Sequence, residues 1–208
     1  MKGKFIVVYG MNNIGKTTAT KALVDYLSQH GVEAVYLKYP IYDLEPTGPR
    51  INAYLRQGNP ESLNPFQAQQ IYAQNRRDYQ LKLQETLESE VWVVAEDYSG
   101  TGIGWGMIFG EPQEELERLN IGLLPANVSV LMDGERFGTG VEKGHLHEED
   151  DRWEQGRRLF QALAGEYGWV VMNSEGTKEE VLERLVGLVE GKFPGCVERE
   201  VSGVRERK

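Results

Sequence analysis

The sequence predicts an α/β fold of three layers, in which a five-stranded parallel sheet lies between helices. Two observations lead to this prediction. Five short apolar runs alternate with segments of helical periodicity along the chain. The runs are continuously apolar, which is typical of parallel strands that are covered on both faces. A third observation, a phosphate-binding motif between the first run and the first helix, fits the same architecture.

The elements follow in order from the amino terminus. The strands are predicted over residues 5–9, 33–38, 91–95, 127–132 and 169–172, and the helices from residue 16 to Gly31 and over 50–57, 65–89, 113–120, 152–167 and 178–189. Residues 41–49 are expected to form a loop, and residues 100–110 are rich in glycine. Residues 1–192 are therefore predicted to form a single domain, with a charged surface segment at about 134–152 and a weakly ordered tail over 193–208.

Composition excludes several classes of function. The chain has 208 residues, with 23 Lys and Arg against 32 Asp and Glu, for a net charge of −9. This charge argues against nucleic acid or an anionic membrane as a partner. The single cysteine, Cys196, excludes an internal disulfide framework, and no apolar run has the length of a membrane span. We therefore expect a cytoplasmic protein without a nucleic-acid or membrane partner.

The segment from Gly10 to Thr17 reads GMNNIGKT and fits the phosphate-loop pattern G-x-x-x-x-G-K-[ST]. The glycines allow the backbone N–H groups to approach phosphate oxygens, and Lys16 supplies a positive charge. Thr17 offers a hydroxyl ligand to Mg²⁺ at the positive end of the following helix. The predicted nucleotide-binding residues are Gly10, Asn12, Asn13, Ile14, Gly15, Lys16, Thr17 and Thr18.

The phosphate loop alone does not distinguish kinases from ATPases or GTPases. The base-reading motif N-K-x-D of small GTPases is absent from the sequence, and large ATPases are usually longer chains. A kinase acting on a small molecule or a nucleotide is therefore the leading class.

Several further motifs resemble the thymidylate kinase family, over about residues 4 to 190. They are Lys38-Tyr39-Pro40, the helical stretch Tyr72-Ala73-Gln74-Asn75-Arg76, the segment from Glu96 to Trp105 that aligns with D-R-Y-x-x-S-G-V-A-Y, the strand PANVSVLMD over residues 125–133, and Asp151-Arg152-Trp153-Glu154. The resemblance implies a P-loop nucleoside monophosphate kinase that uses ATP and Mg²⁺ to convert dTMP, or a related pyrimidine deoxynucleotide, to the diphosphate. It also implies a homodimer and a lid that ends near Arg152.

The resemblance assigns roles to particular residues. The catalytic residues would be Lys16, Arg152, Glu96 and Asp97. The metal would be held by Thr17 and Glu96. The substrate would contact Tyr39, Pro40, Arg56, Tyr72, Arg76, Tyr98, Thr101 and Trp105. In the family the aromatic residue at the Tyr72 position stacks on thymine and the arginine at the Arg76 position binds a base carbonyl.

The sequence departs from the family where the acceptor phosphate binds. Asp97 stands where the family has an arginine, which reverses the charge, and the arginine of the loop after Pro40 is also missing. Either the cation for that phosphate comes from Arg50, Arg56, Arg77 or the lid, or the acceptor is not a standard monophosphate.

Two alternatives remain open at this stage. The carboxylate at Asp97 would suit a hydroxyl acceptor, as in a deoxynucleoside kinase that acts on an uncharged nucleoside. A non-catalytic nucleotide-binding protein would keep the phosphate loop and lose acceptor binding. His145 and His147 form the only close histidine pair, and we expect them to be solvated loop residues rather than metal ligands.

Overall fold

A computed structural model describes residues 2–138, 146 and 152–197. The strands are β1 (Phe5–Tyr9), β2 (Ala34–Lys38), β3 (Trp92–Glu96), β4 (Val128–Asp133) and β5 (Val170–Asn173). The helices are α1 (Lys16–Gln29), α2 (Thr47–Arg56), α3 (Pro65–Glu88), α4 (Ser99–Ile108), α5 (Gln113–Asn120), α6 (Trp153–Tyr167) and α7 (Lys178–Lys192). The predicted fold class is confirmed, and each predicted strand agrees with the observed one to within one residue at either end.

The five strands form one parallel sheet in the order β2-β3-β1-β4-β5. The chain leaves β1 toward β2 and β3 on one side, and later crosses to β4 and β5 on the other. The carboxyl end of β1 therefore lies at the switch point of the topology, where α/β proteins bind ligands.

Helices cover both faces of the sheet. Helices α1 and α7 pack together on one face, while α3, α4 and α6 lie on the other. β1 and β3 consist entirely of buried residues, and Ile6, Val94 and Val130 at the sheet centre have no exposed surface. This two-sided burial explains why the strand sequences are continuously apolar.

The glycine-rich segment, for which the sequence predicted no element, is helix α4. Its glycines allow neighbouring side chains to approach the helix closely, which outweighs their low helix propensity. A Cβ atom on Gly104 would lie 2.6 Å from the Phe160 ring, and one on Gly106 would lie 2.5 Å from Leu116. Glycine content alone therefore did not indicate this tightly packed helix.

The start of helix α2 differs from the prediction. Helix α2 begins at Thr47 rather than at residue 50, because Pro49 lies in its first turn, where a missing N–H breaks no helical hydrogen bond. At the carboxyl end, Phe193 packs on Trp92 at a ring-centroid distance of 5.1 Å, and Val197 is buried. The weakly ordered tail over residues 193–208 stays a prediction. Residues 198–208 lie outside the described part of the chain.

Candidate active site

The phosphate loop connects β1 to α1 at the carboxyl edge of the sheet. Gly10 and Gly15 have positive φ angles of 146° and 90°. A Cβ atom on Gly10 would lie 2.5 Å from Ile14 Cδ1 and 2.7 Å from the Met132 carbonyl oxygen. Glycine is therefore required at this turn both by backbone conformation and by space.

Lys16 is directed into its own loop. Its ammonium donates to the carbonyl oxygens of Gly10 at 2.7 Å and Met11 at 3.0 Å, and it lies 3.8 Å from Asp97 Oδ1. Its side chain is 6% exposed. An anion bound in the loop would compete with these carbonyl oxygens and with Asp97 for the ammonium.

Neighbouring segments hold the loop from outside. The Trp153 indole, at the start of α6, donates to the Asn12 carbonyl oxygen at 3.0 Å. The backbone N–H of Phe137 donates to the Asn13 carbonyl oxygen at 2.8 Å. With its carbonyl oxygens bound by these groups, the loop is fixed at two successive residues.

Glu96 ends β3 and is 3% exposed. Lys38 lies opposite it in the strand register and donates to Glu96 Oε1 at 2.9 Å, while the Tyr36 hydroxyl donates to Oε2 at 2.6 Å. Burial alone would raise the pKa of Glu96, but the charges of Lys16 and Lys38 outweigh it, so the pKa lies below its ordinary value. Glu96 is therefore a carboxylate held in place by two donors.

Asp97 follows in a left-handed backbone conformation, with φ at 65°. This turn directs the carboxylate toward the Thr101 hydroxyl, which donates to Asp97 Oδ1 at 2.8 Å. Burial and the neighbouring Glu96 charge raise the pKa of Asp97, against the opposing effect of Lys16. The two adjacent carboxyl groups thus have pKa values that are displaced in opposite directions.

Beside the carboxylates lies a pocket of about 150 Å³, called here the Tyr72 pocket. It is lined by Asn12, Lys38, Tyr39, Pro40, Tyr42, Leu55, Arg56, Gln69, Tyr72, Glu96, Asp97, Thr101, Gly102 and Trp105. Asn12, Glu96 and Asp97 form the end next to the phosphate loop. The residues from α3 and α4 form the other end.

Gln69 and Tyr72 bring the polar and aromatic groups of α3 to the far end of the pocket. Gln69 is 5% exposed, and its amide makes no hydrogen bond to the described part of the chain. Buried amides are normally paired, so this one is available to a ligand. Tyr72 is also buried, and burial raises the pKa of its hydroxyl far above the ordinary value.

The structure brings six of the eight predicted substrate residues to the pocket wall. They are Tyr39, Pro40, Arg56, Tyr72, Thr101 and Trp105. The remaining two, Arg76 and Tyr98, lie behind the wall. A Cβ atom on Gly102 would lie 2.6 Å from Arg76 Nη2, and Arg76 Nη1 donates to Asn120 Oδ1 at 3.0 Å. Tyr98 packs edge-on against Phe5 at 5.1 Å.

Arg152, the predicted catalytic arginine, caps the start of α6 away from the loop. Its guanidinium lies 4.6 Å from the centre of the Phe109 ring, and Nη1 donates to the Ile108 carbonyl oxygen at 3.4 Å. A catalytic role would require this side chain to change position, and it stays a prediction. Of the predicted lid, residues 139–145 and 147–151, including His145 and His147, lie outside the described residues.

A second pocket, of about 110 Å³, lies on the opposite side of the phosphate loop and is called here the Phe137 pocket. It is lined by Ile14, Gly15, Thr18, Ala19, Ala22, Met132, Phe137, Ser174, Gly176, Thr177, Lys178 and Val181. Its apolar residues and the exposed Phe137 ring suit a flat aromatic ligand. The phosphate loop thus separates a polar pocket from an apolar one.

The residues near the loop suit Mg²⁺ in the presence of phosphates. Among the described residues, no group of three or more His, Cys, Asp or Glu side chains is placed to hold a metal ion. Thr17 lies within hydrogen-bonding reach of Tyr36, which itself donates to Glu96. A hydroxyl and one or two carboxylates form the oxygen donor set with which Mg²⁺ is bound beside phosphates and water.

Sequence reasoning missed Lys38, Tyr42, Leu55, Gln69 and Gly102 as individual pocket residues. Lys38 is an exposed residue at the end of β2, where an ordinary surface lysine is expected. Gln69 lies three residues before Tyr72 and therefore shares a helix face with it. Among these residues, only Gln69 could have been predicted from the sequence, through its helical spacing from Tyr72.

A cavity larger than these two pockets lies elsewhere among the described residues. It measures about 460 Å³, contains no residue of the phosphate loop, and is called here the Trp169 cavity.

No helix in the described part of the chain is long and apolar enough to cross a membrane.

Comparisons with known proteins agree with this geometry. The sequence profile described as thymidylate kinase matches residues 8–111. The thymidylate kinase of Arabidopsis thaliana is 24% identical over 200 residues, 95% of this chain and 74% of that protein. The one from Synechococcus sp. (strain JA-2-3B'a(2-13)) is 27% identical over 208 residues, 91% of this chain and 96% of that protein. The fold is similar to that of Candida albicans thymidylate kinase, with a TM-score of 0.77 at 18% identity, over 91% of this chain and 92% of that one.

Proposed function

We propose that this chain, which belongs to the thymidylate kinase family, transfers the γ-phosphoryl group of ATP to a pyrimidine deoxynucleoside monophosphate, chiefly dTMP. The observation that carries the proposal is the junction of two sites. Lys16 of the phosphate loop lies 3.8 Å from Asp97, which lines the Tyr72 pocket. A phosphate on the loop and a phosphate in the pocket would therefore face each other across this pair, as in-line transfer requires.

The donor side accommodates ATP. The phosphates would be bound by the backbone N–H groups of residues 10–18 and by Lys16, once the ammonium leaves the carbonyl oxygens of Gly10 and Met11. The adenine ring would enter the Phe137 pocket, beside Ile14 and Phe137. Because Lys16 is already directed into the loop, its charge needs only a short displacement to reach the bound phosphates.

Thr17 and Glu96 are the residues that would hold Mg²⁺ next to the phosphates of ATP. The ion, when bound, neutralises part of the charge on the transferring phosphoryl group. The low pKa of Glu96 supports this assignment, since the side chain is a carboxylate at neutral pH.

The Tyr72 pocket accommodates the acceptor. Tyr72 offers a ring face to a pyrimidine, and Gln69 offers an amide that can donate and accept along the base edge. Trp105 and Thr101 close the side of the pocket formed by α4.

The negative charge on the transferring phosphoryl group requires a further cation, and Arg152 is our candidate for this role. To reach the transferring phosphoryl group, its guanidinium would have to leave the Phe109 ring and the Ile108 carbonyl oxygen.

An ADP-release assay over a panel of acceptors tests the proposal. The panel contains dTMP, dUMP, dCMP, dGMP and thymidine, each with ATP and Mg²⁺, and ATP without an acceptor as the control. We expect the highest kcat/KM with dTMP and little ADP release without an acceptor. Turnover of thymidine but not of dTMP would indicate a deoxynucleoside kinase, and ATP binding without any transfer would indicate a non-catalytic protein. Either result would refute the proposal.

We further propose that the protein acts as a homodimer in the cytoplasm. Leu81 on α3 and Ile121 after α5 are 67% and 71% exposed, and both belong to the side of the molecule that carries α3. Apolar side chains exposed to this extent suit a contact with a second copy of the chain. The disulfide-free chain is compatible with a reducing compartment. The molecular mass from light scattering tests the dimer. We expect the mass of a dimer for the wild-type chain and of a monomer for Leu81→Glu, and a monomeric wild-type chain would refute the proposal.

A further inference from the structure

We propose that Lys38 binds the acceptor phosphate. The proposal rests on the function proposed above and identifies the cation that the acceptor site uses. A nucleoside monophosphate brings up to two negative charges into the Tyr72 pocket, where Glu96 and Asp97 already lie. Binding such an anion requires a cation at the end of the pocket nearest the phosphate loop.

The other candidate arginines are engaged elsewhere. Arg50 makes a bidentate contact with Glu61, with donor–acceptor distances from 2.6 to 3.1 Å. Arg77 donates to the carbonyl oxygens of Leu119 and Ile121. Neither arginine lines the Tyr72 pocket.

Two cations line the pocket among the described residues, Lys38 and Arg56. The guanidinium of Arg56 lies 4.8 Å from the centre of the Tyr42 ring, and Nη1 donates to Asn52 Oδ1 at 3.2 Å. These contacts hold Arg56 on the α2 wall. Lys38 instead ends β2, beside the carboxyl ends of β3 and β1.

The position of Lys38 matches that of the transferred group. The Lys38 ammonium lies 2.9 Å from Glu96 Oε1. Asp97 follows Glu96 in the chain, and its Oδ1 lies 3.8 Å from the Lys16 ammonium. Lys38 and Lys16 thus flank the two carboxylates, one on the acceptor side and one on the donor side. An acceptor phosphate that faces the loop would lie between them.

Lys38 also has donors to spare. An ammonium carries three N–H donors, and the described part of the chain takes one of them, through Glu96 Oε1. Two N–H groups are therefore available to phosphate oxygens, and a lysine is a common ligand for phosphate.

The test measures the affinity that the phosphate adds. Dissociation constants of dTMP and thymidine are measured by calorimetry for the wild-type chain and for Lys38→Gln. A hydrogen bond to a charged phosphate implies that Lys38→Gln weakens dTMP binding roughly 10- to 100-fold. Thymidine binding should change by no more than about twofold, because thymidine lacks the group that Lys38 contacts.

Two further variants complete the design. Arg50→Gln removes a positive charge from the neighbouring helix α2 and should leave both affinities unchanged. Lys38→Gln with Glu96→Gln avoids leaving Glu96 buried without its partner, so it reports on phosphate binding even if the single variant folds poorly. The double variant should also lose the preference for dTMP over thymidine.

Three outcomes would overturn the proposal. If both Lys38 variants retain the wild-type preference for dTMP, another group binds the phosphate, and the proposed function still stands. If both variants lose dTMP and thymidine equally, Lys38 shapes the pocket rather than binding phosphate. If the wild-type chain binds thymidine as tightly as dTMP, the monophosphate kinase function fails together with the role of Lys38.

Discussion

The phosphate loop and the Tyr72 pocket are adjacent in space but are encoded in different ways. The loop is one uninterrupted segment, and the roles of its residues follow from a single pattern over residues 10–17. The pocket collects side chains from the loop, β2, α2, α3, the end of β3 and α4, between residues 12 and 105. A motif reveals the first kind of site, whereas the second kind depends on how the elements pack.

The two regions also treat charge differently. The loop directs its one cation inward, onto its own carbonyl oxygens. The pocket places Lys38 and Arg56 beside Glu96 and Asp97, so its formal charges cancel before a ligand binds. We therefore expect changes in the loop to abolish transfer and changes in the pocket to alter substrate choice.

The largest effect is expected in the loop. Lys16→Ala should lower kcat/KM by about 10³-fold, because it removes a positive charge from the transferring phosphoryl group. Steady-state kinetics with dTMP and ATP measure the loss. Lys21→Ala, an exposed residue of the same helix, is the matched control and should remain within about twofold of wild type. A Lys16→Ala enzyme with nearly full activity would contradict the assignment of the loop.

Gly102→Ala should affect the pocket and spare the loop. The new Cβ would lie 2.6 Å from Arg76 Nη2 and 3.0 Å from Gln69 Oε1, so both side chains would have to shift. A shift of Gln69 changes the acceptor end of the pocket, and a loss of about 1 kcal/mol in dTMP binding corresponds to roughly a fivefold increase in its KM. The KM for ATP should stay unchanged.

Gly165→Ala is the control for that substitution. A Cβ at this position of α6 meets nothing within 4 Å, so it should leave both KM values unchanged. Equal effects of the two alanines on dTMP would mean that Gly102 does not border the acceptor.

Gln69→Leu should have an effect of similar size, confined to the base. Loss of one neutral hydrogen bond corresponds to roughly 3- to 10-fold in kcat/KM for dTMP. The measurement compares dTMP, dUMP and dCMP in the variant and in Gln70→Leu, whose side chain is exposed one position further along α3. If Gln69→Leu preserved all three values, the base edge would be read by other groups.

The smallest effect concerns stability on the donor side. Asp133 accepts bonds from Arg157 at 2.7 and 3.1 Å and from Gln161 at 2.8 Å. Burial opposes ionisation, but these donors lower the pKa of Asp133 below its ordinary value of 3.8. Its stabilising contribution is therefore complete above that pH and is lost as the pH falls through the lowered folded-state pKa.

We thus expect Asp133→Asn to lower the free energy of unfolding by about 1 kcal/mol at pH 7. Urea unfolding at several pH values should show this difference shrinking below about pH 4. A difference that grows on acidification would have the wrong sign. The catalytic constants should change little, since Asp133 lines neither the Tyr72 pocket nor the Phe137 pocket.

The same contrast explains which parts of the fold could be predicted from the sequence. Continuous apolar runs located all five strands to within a residue, because two-sided burial leaves a local signal. Helix α4 was missed because its glycines are explained only by partners distant in sequence, such as Phe160 and Leu116. The glycine content of residues 100–110 therefore predicted no element there.

Site residues divide in the same way. The loop residues could be named from the pattern, and Tyr72 and Trp105 from the family resemblance. The resemblance could not show that Arg76 and Tyr98 lie behind the pocket wall, because this depends on how α3 and α4 pack. Lys38 became a candidate only when the strand register placed it opposite Glu96.

A crystal structure with dTMP bound tests the central claim most directly, namely that the Tyr72 pocket is the acceptor site. We expect the base against Tyr72 and Gln69, and the phosphate within hydrogen-bonding distance of Lys38 at the end nearest the loop. Density for dTMP in the larger Trp169 cavity or in the Phe137 pocket, with the Tyr72 pocket empty, would contradict the account.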